Sequence, residues 1–264
     1  METSTTIKLV AFDLDGTLTE SKMNMTSEMG ELLAQLLERL PVAVMSGAAF
    51  HQFENQFLAF MPLNAKLERL YLFPTNAARC YVFRDGKWKM QYDESFTDAE
   101  RTKILSALDA ALVEVNFPKP EHIWGEQTED RGSQITFSAL GQLAPIQEKS
   151  KWDPTREKRR PLYDALVRRL PEFSIGLNAT TSIDITRKGI TKAYGIQKLS
   201  EISCLPIAEM LYAGDALYPE GNDAVVIESG VQTHAVINAS DTAQLIKNII
   251  AEKEITLSNK NICD

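Results

Sequence analysis

Apolar residues recur along this chain in two rhythms, and their alternation predicts an α/β core. Ile7-Lys8-Leu9-Val10-Ala11-Phe12 is a nearly unbroken apolar run, the pattern a strand buried on both faces requires. Met29, Leu32, Leu33, Leu36, Leu37 and Leu40 then fall at helical spacing, with Ser27 as the expected N-cap and Pro41 as the stop. Val42-Ala43-Val44-Met45 is a second short apolar strand. Strand, helix and strand joined by short connections form a βαβ unit, which implies a parallel sheet.

Phe50 to Leu58 reads as a helix and Leu70 to Phe73 as a strand. Tyr81–Phe83 and Trp88–Met90 read as a hairpin around Arg84-Asp85-Gly86-Lys87. From about Tyr92 to Thr186 the character changes. A helix from Ala99 to Val115 is followed by Pro118 and Pro120, a strand-like Gly132–Ala139, and a basic stretch from Lys149 to Arg169. That stretch reads as a solvated helix face. Strands are expected near Phe173–Gly176 and Ser182–Ile185. The α/β rhythm then resumes with a helix at Thr191–Leu199, strands at Met210–Ala213 and His234–Ile237, and a last helix marked by Leu245, Ile246, Ile249 and Ile250. The expectation is a Rossmann-like α/β core with a parallel sheet, residues 1–86 and 187–264, split by an inserted α+β domain, residues 87–186.

Composition narrows the function classes. The chain has 264 residues, 44% of them apolar, and a formal net charge of -8. That balance suits a globular core and argues against a nucleic-acid surface. A local positive pocket on an acidic protein still admits an anionic substrate. Cys80, Cys204 and Cys263 are far apart and lack any CxxC spacing, so a disulfide framework or zinc site is not expected. The polar start of the chain lacks a basic n-region, and no apolar run reaches membrane-spanning length. A cytoplasmic protein with no membrane partner is expected.

Candidate chemistry sits at the strand ends. In Asp13-Leu14-Asp15-Gly16-Thr17-Leu18-Thr19, two carboxylates leave a buried strand and a glycine lets the backbone turn. That arrangement suits a divalent cation and aims one carboxylate in line with a phosphorus atom. Asp-Gly also marks plain surface turns, but such a turn needs neither Asp13 nor Thr17. A second acidic turn, Gly214-Asp215 through Asn222-Asp223, follows a late strand. Ser46 ends the second strand, and Lys192 opens the helix after the insertion. In a parallel sheet the carboxyl ends of the strands share one edge, where ligands bind.

These four segments, in this order, resemble the haloacid-dehalogenase-like phosphotransferase superfamily across the whole core. The insertion is similar to the larger (C2-type) cap of the subgroup that holds Cof-type sugar phosphatases and eukaryotic-type phosphomannomutases. The phosphomannomutases are the closer likeness. Their pattern is matched by the eight-residue steps from Asp215 to Asp223 and from Asp184 to Lys192, by Phe173-Ser174-Ile175-Gly176, and by Arg131-Gly132-Ser133 through Gly141.

The resemblance implies transfer through an aspartyl-phosphate. Asp13 would be the nucleophile and Asp15 the proton donor and then acceptor, while Ser46, Gly47 and Lys192 hold the phosphoryl group. It implies Mg2+ as cofactor, held by Asp13, Asp215 and the backbone carbonyl of Asp15, with Asn222 and Asp223 orienting Lys192 or the metal's surroundings. Arg131, Gln142, Ser182 and Asp184 would meet a small phosphorylated sugar from the cap, and a cap-mediated homodimer is implied. Gln142 is a departure, because those mutases carry a second arginine there. Glutamine offers a neutral amide where arginine offers a charged fork. Hydrolysis is therefore expected ahead of hexose-phosphate isomerisation, with Lys149, Lys151 and Arg156 as alternative cations nearby. Ser46 also suits a cap for the following helix, Lys188 competes with Lys192, and Arg131 also suits a plain surface residue. His51, His122 and His234 lack ligand spacing, and Trp124 and Trp152 read as packing residues.

Overall fold

The computed structural model describes residues 6–20, 23–178, 180–219 and 221–260. Glu220 of the second acidic turn, Cys263 and the first five residues lie outside the described residues. Cys80 and Cys204 are free thiols. The chain divides into two compact units, Met1–Asp93 with Thr191–Asp264, and Glu94–Ile190.

The first unit is an α/β core. Strand β1 (Leu9–Asp13) is buried at every position, as its unbroken apolar run requires. Helix α1 (Ser27–Arg39) follows. Its N-cap is Thr26, not Ser27, because the Thr26 hydroxyl accepts the Met29 N–H at 3.2 Å. Strand β2 (Val42–Met45) pairs in parallel with β1, completing the expected βαβ unit. Helix α2 (Phe50–Gln56) leads to β3 (Leu70–Phe73), which is parallel to β2. The next element, α3 (Pro74–Ala77), is a single left-handed turn that sequence reasoning did not foresee.

Strands β4 (Arg79–Arg84) and β5 (Lys87–Asp93) form the hairpin, closed by Asp85 and Gly86 at φ 54° and 73°. Two successive positive φ values are what a tight two-residue hairpin turn demands. Because β5 pairs with β4 along its length, residues 87–93 complete the core sheet and the core reaches Asp93, not residue 86.

The second unit carries α4 (Asp98–Glu114), opened by a capping box between Thr97 and Glu100. It continues with β6 (Thr128–Asp130), β7 (Gln134–Ser138), α5 (Ile146–Trp152), α6 (Arg160–Arg169), β8 (Phe173–Asn178) and β9 (Ser182–Arg187). Its strands form an antiparallel sheet in the order β6-β7-β9-β8. Ile135, Phe137, Ile183 and Ile185 face Ile104, Leu108, Leu162 and Leu166 of α4 and α6. The alternate residues Thr136 and Ser138 pair with Asp184 and Ser182, giving that sheet a polar face.

The chain then returns to the core through α7 (Lys192–Ser203), β10 (Met210–Gly214), β11 (Gln232–Ala235) and α8 (Ala239–Lys260). Strand β11 starts before the expected His234, and Ile237, counted into that strand from its apolar character, is exposed. The core sheet runs β11-β10-β1-β2-β3-β4-β5, parallel from β11 to β3 and antiparallel at the hairpin. Val10 and Phe12 of β1 pack with Leu33, Leu36 and Ile246 of α1 and α8. Leu9 and Ala11 pack with Ile196 and Leu199 of α7. The period of two thus splits one strand between two apolar layers, and the sheet is covered on both faces.

Gly30 tests the packing of α1. A Cβ there would lie 2.1 Å from the Phe60 carbonyl oxygen. On helix propensity alone, Gly30→Ala stabilises by about 1 kcal/mol. The close approach reverses the sign, and a loss of about 1–3 kcal/mol is expected in urea unfolding. A gain in stability would contradict the packing.

Candidate active site

The parallel register brings the chemistry to one edge. Phe12 pairs with Ala213, and Asp13 with Met45, so the residues that follow β1, β2 and β10 emerge side by side. After β1 the chain turns at once: the Leu18 and Thr19 N–H groups return to the Leu14 carbonyl at 2.9 and 3.0 Å, and Gly16 takes φ 85°. Thr17, buried in this turn, ties it to the loop after β10. Its hydroxyl accepts the Asp215 N–H at 3.1 Å and donates to the Asp215 carboxylate at 3.2 Å.

Lys192 opens α7, whose N-cap Thr191 accepts the Tyr194 N–H. The lysine is only 2% exposed, and its Nζ donates to Asp13 Oδ1 and Asp223 Oδ1 at 2.5 Å each. Asp223 is wholly buried and satisfied at both oxygens. Oδ1 also accepts the Tyr212 hydroxyl at 2.6 Å, and Oδ2 accepts the Ala216 N–H at 3.1 Å. Gly214 leaves room for that carboxylate, since a Cβ there would lie 2.4 Å from Asp223 Oδ2.

The carboxylates of Asp13, Asp215 and Asp223 each bring an oxygen within 4.8 Å of the others. Three carboxylates against one ammonium leave a net charge of about −2, and hard oxygen donors suit a hard divalent cation. The donor set therefore fits a metal of that kind. The Asp15 carboxylate is not part of the group; Asp15 is half-buried and bridges to Thr19.

Burial shapes the ionisation of these groups. It pushes Asp13 up to about 7, with Lys192 opposing and Asp223 and Asp15 adding to the rise. For Lys192 burial works against the charge, but Asp13 and Asp223 outweigh it and hold the ammonium above the ordinary lysine range. Asp215 is raised by burial and by Asp223. Tyr212 is held well above its usual value by burial and by the carboxylates of Asp13 and Asp223.

The remaining expected residues fall as follows. Ser46 is buried, and its Oγ accepts the Ala48 N–H at 3.0 Å, while the N-cap of α2 is Ala49. Ser46 therefore does not cap that helix. Gly47 follows it in the same loop. Lys188 is exposed and belongs to the second unit, whereas it is Lys192 that contacts Asp13.

Arg131, Gln142, Ser182 and Asp184 all belong to the second unit. Arg131 Nη2 donates to Glu129 at 2.7 Å. The Gln142 amide donates to the carbonyls of Gln127 and Thr136 at 3.2 and 3.4 Å. Lys149 Nζ donates to the Gln142 carbonyl at 2.9 Å. Ser182 and Asp184 lie on the polar face of β9, across from Ser138 and Thr136.

Sequence reasoning missed two residues. Tyr212 sits in an apolar strand and reads as core, yet its hydroxyl serves Asp223. Arg159, counted within a solvated basic run, is fully buried; it pairs with Asp153 at 2.8 Å and donates to the Ser182 carbonyl at 2.5 Å.

Residues 10–260 match the family described as haloacid dehalogenase-like hydrolase. The chain is 23% identical over 247 residues to the phosphomannomutase of Saccharomyces cerevisiae, covering 91% of this chain and 93% of that one. It is 26% identical to the phosphomannomutase of Triticum aestivum, covering 91% and 94%. A solved haloacid dehalogenase-like hydrolase from Bacteroides thetaiotaomicron shares the fold at a TM-score of 0.64 and 14% identity, covering 92% of this chain and 99% of that one. No helix among the described residues is long and apolar enough to cross a membrane.

The raised Asp13 gives a signed pH prediction. Its acid is favoured by folding, so its contribution to stability is complete below its ordinary value of 3.8 and is lost as pH rises through about 7. A divalent cation favours the ionised carboxylate and releases its proton. The rise in melting temperature caused by Mg2+ should therefore be larger at pH 8 than at pH 5. An equal or smaller rise at pH 8 would contradict the arrangement.

Proposed function

This chain belongs to the haloacid dehalogenase-like hydrolases, and from that premise we propose that it transfers phosphoryl groups on a small phosphorylated sugar, as a phosphomannomutase-type enzyme. The buried Asp13–Lys192–Asp223 arrangement, beside Asp215, carries the phosphoryl-transfer part of this reading. The end-to-end likeness to proteins named phosphomannomutase supports the isomerase over the hydrolase.

The Asp13 carboxylate attacks phosphorus, and the bond from phosphorus to the sugar oxygen breaks. This divides one difficult displacement into two. Lys192 fixes the Asp13 rotamer through its 2.5 Å contact and offsets charge on the transferring group. Asp15 protonates the departing sugar oxygen and then takes the proton of the accepting hydroxyl. Ser46 and Gly47 hold the phosphoryl oxygens. Asp13, Asp215 and the Asp15 carbonyl hold Mg2+, which when bound offsets the negative charge of nucleophile and phosphate. Both oxygens of Asp223 are engaged by Lys192, Tyr212 and Ala216, so its part is to orient the lysine.

The inserted unit supplies sugar recognition through Arg131, Ser182 and Asp184. A mutase must grip a phosphate at each end of a bisphosphorylated sugar. Lys149, on the Gln142 carbonyl, keeps a positive charge where the family arginine is missing. A specific observation favours hydrolysis as the second reading. The Gln142 amide is neutral and donates to two backbone carbonyls, and Arg131 is paired with Glu129.

The test is turnover of mannose 1-phosphate and glucose 1-phosphate with Mg2+, with and without a hexose 1,6-bisphosphate, following the 6-phosphate and free phosphate separately. Stimulated formation of the 6-phosphate with little free phosphate is expected. Asp13→Asn should lower it by about a thousandfold or more. Free phosphate as the main product would replace the mutase by a sugar phosphatase.

A further inference from the structure

One backbone feature at the edge of the core sheet has no part in the chemistry above. In α3, the consecutive residues Thr75, Asn76 and Ala77 take φ values of 51°, 55° and 66°. None is glycine. Asparagine tolerates this region, but a β-branched threonine there is a marked outlier. Such strain persists only where the surroundings over-determine it, and it collects where position matters.

The surroundings of this turn are the elements that carry Ser46 and Lys192. The Thr75 N–H donates to the Ala48 carbonyl and the Asn76 N–H to the Ser46 carbonyl, each at 2.9 Å. The Ser46 N–H in turn donates to the Phe73 carbonyl at 3.1 Å. Both backbone groups of Ser46 are thus tied to β3 and the turn that follows it. The Asn76 carboxamide packs on Gly47: a Cβ added at Gly47 would lie 3.5 Å from Nδ2 and 3.6 Å from Oδ1. On the other side, a Cβ added at Gly195 would lie 2.5 Å from the Ala77 methyl. Gly195 is one turn along α7 from Lys192. The Tyr92 hydroxyl closes the turn by donating to the Ala77 carbonyl at 2.7 Å.

We propose that this strained turn sets the Ser46–Gly47 loop against α7 and Lys192, with Asn76 as a positioning residue for the phosphoryl-binding loop. The inference rests on the phosphoryl-transfer reading of this site. Its physical content is that the loop and the helix each touch the turn. A small relaxation of the turn would move the Ser46–Gly47 loop relative to Lys192, and displacements of about 1 Å cost about a hundredfold in rate. Ground-state binding of a flexible ester depends less on that spacing than does a five-coordinate phosphorus.

Two variants test it. Asn76→Gly keeps the left-handed backbone free of steric cost and deletes the carboxamide over Gly47. Ala77→Gly likewise suits the backbone and deletes the methyl facing Gly195. Binding of orthovanadate with Mg2+, a mimic of the transferring phosphoryl group, is measured by titration calorimetry. Turnover of p-nitrophenyl phosphate and thermal melting are measured alongside.

In Asn76→Gly the vanadate affinity and kcat should each fall about tenfold or more while KM changes less than about threefold, with cooperative melting retained. Ala77→Gly should show the same split. Unchanged vanadate affinity and kcat in a folded Asn76→Gly would overturn the inference. If that variant does not fold, Ala77→Gly decides on the same criteria, and loss of folding in both would mark the turn as structural only and overturn it. Wild-type protein that binds vanadate but does not isomerise hexose phosphates would remove the mutase reading and leave the inference to stand on the variants. Wild-type protein that does not bind vanadate would overturn both.

Discussion

The Lys192 ammonium lies out of water between the carboxylates of Asp13 and Asp223, 2.5 Å from each, and the arrangement of the core edge depends on that contact. An isolated buried charge costs several kcal/mol, and removing one partner of a buried pair typically costs about 3–5 kcal/mol. The three groups come from β1, α7 and the loop after β10, so none can be placed without the others. The Tyr212 hydroxyl and Ala216 N–H complete the hydrogen bonding of Asp223. One ammonium against two carboxylates still leaves an excess of negative charge. Asp215, held by Thr17, adds a third carboxylate on the same edge. The site is thus built short of positive charge, which is the condition a divalent cation relieves.

The second unit contains a buried ion pair of a different kind. Arg159 and Asp153 satisfy each other and nearby backbone groups, the Ser182 carbonyl among them. Wholly buried as it is, Arg159 holds β9 and the segment before α6 together and has no surface to offer a substrate. The residues on the polar face of that sheet have a different environment. There the alternation along β7 and β9 leaves Thr136, Ser138, Ser182 and Asp184 opposite the apolar helix-covered side. An antiparallel sheet commonly packs one face on an apolar core and keeps the other polar, and β7 and β9 follow that division.

Much of this was legible in the sequence because burial on both faces of a parallel sheet writes long apolar runs. The runs before Asp13 and Ser46 identified β1 and β2, and the acidic turns after two strands identified the carboxylates. What stayed hidden depended on tertiary partners. Tyr212 occupies a position in an apolar strand where any large side chain fits; only Asp223 across the loop gives its hydroxyl a purpose. Arg159 lies among seven other basic residues from Lys149 to Arg169, and nothing local distinguishes the one that is buried. Thr26 and Ser27 are both good N-caps, so a one-residue choice between them is beyond propensity. Pro74 and Asn76 signal a turn, but the left-handed Thr75 and Ala77 are imposed by the loop and helix they touch, not by their own preferences.

The claim on which the rest turns is that Asp13 carries the phosphoryl group. Rapid acid quenching after mixing the Mg2+-loaded protein with phosphorus-labelled hexose 1,6-bisphosphate, followed by peptide mapping, measures it directly. The account predicts an acid-stable, hydroxylamine-labile label on the peptide that contains Asp13, and none in a Lys192→Met protein that still folds. Label on another residue, or substrate turnover with no labelled protein at any quench time, would contradict it.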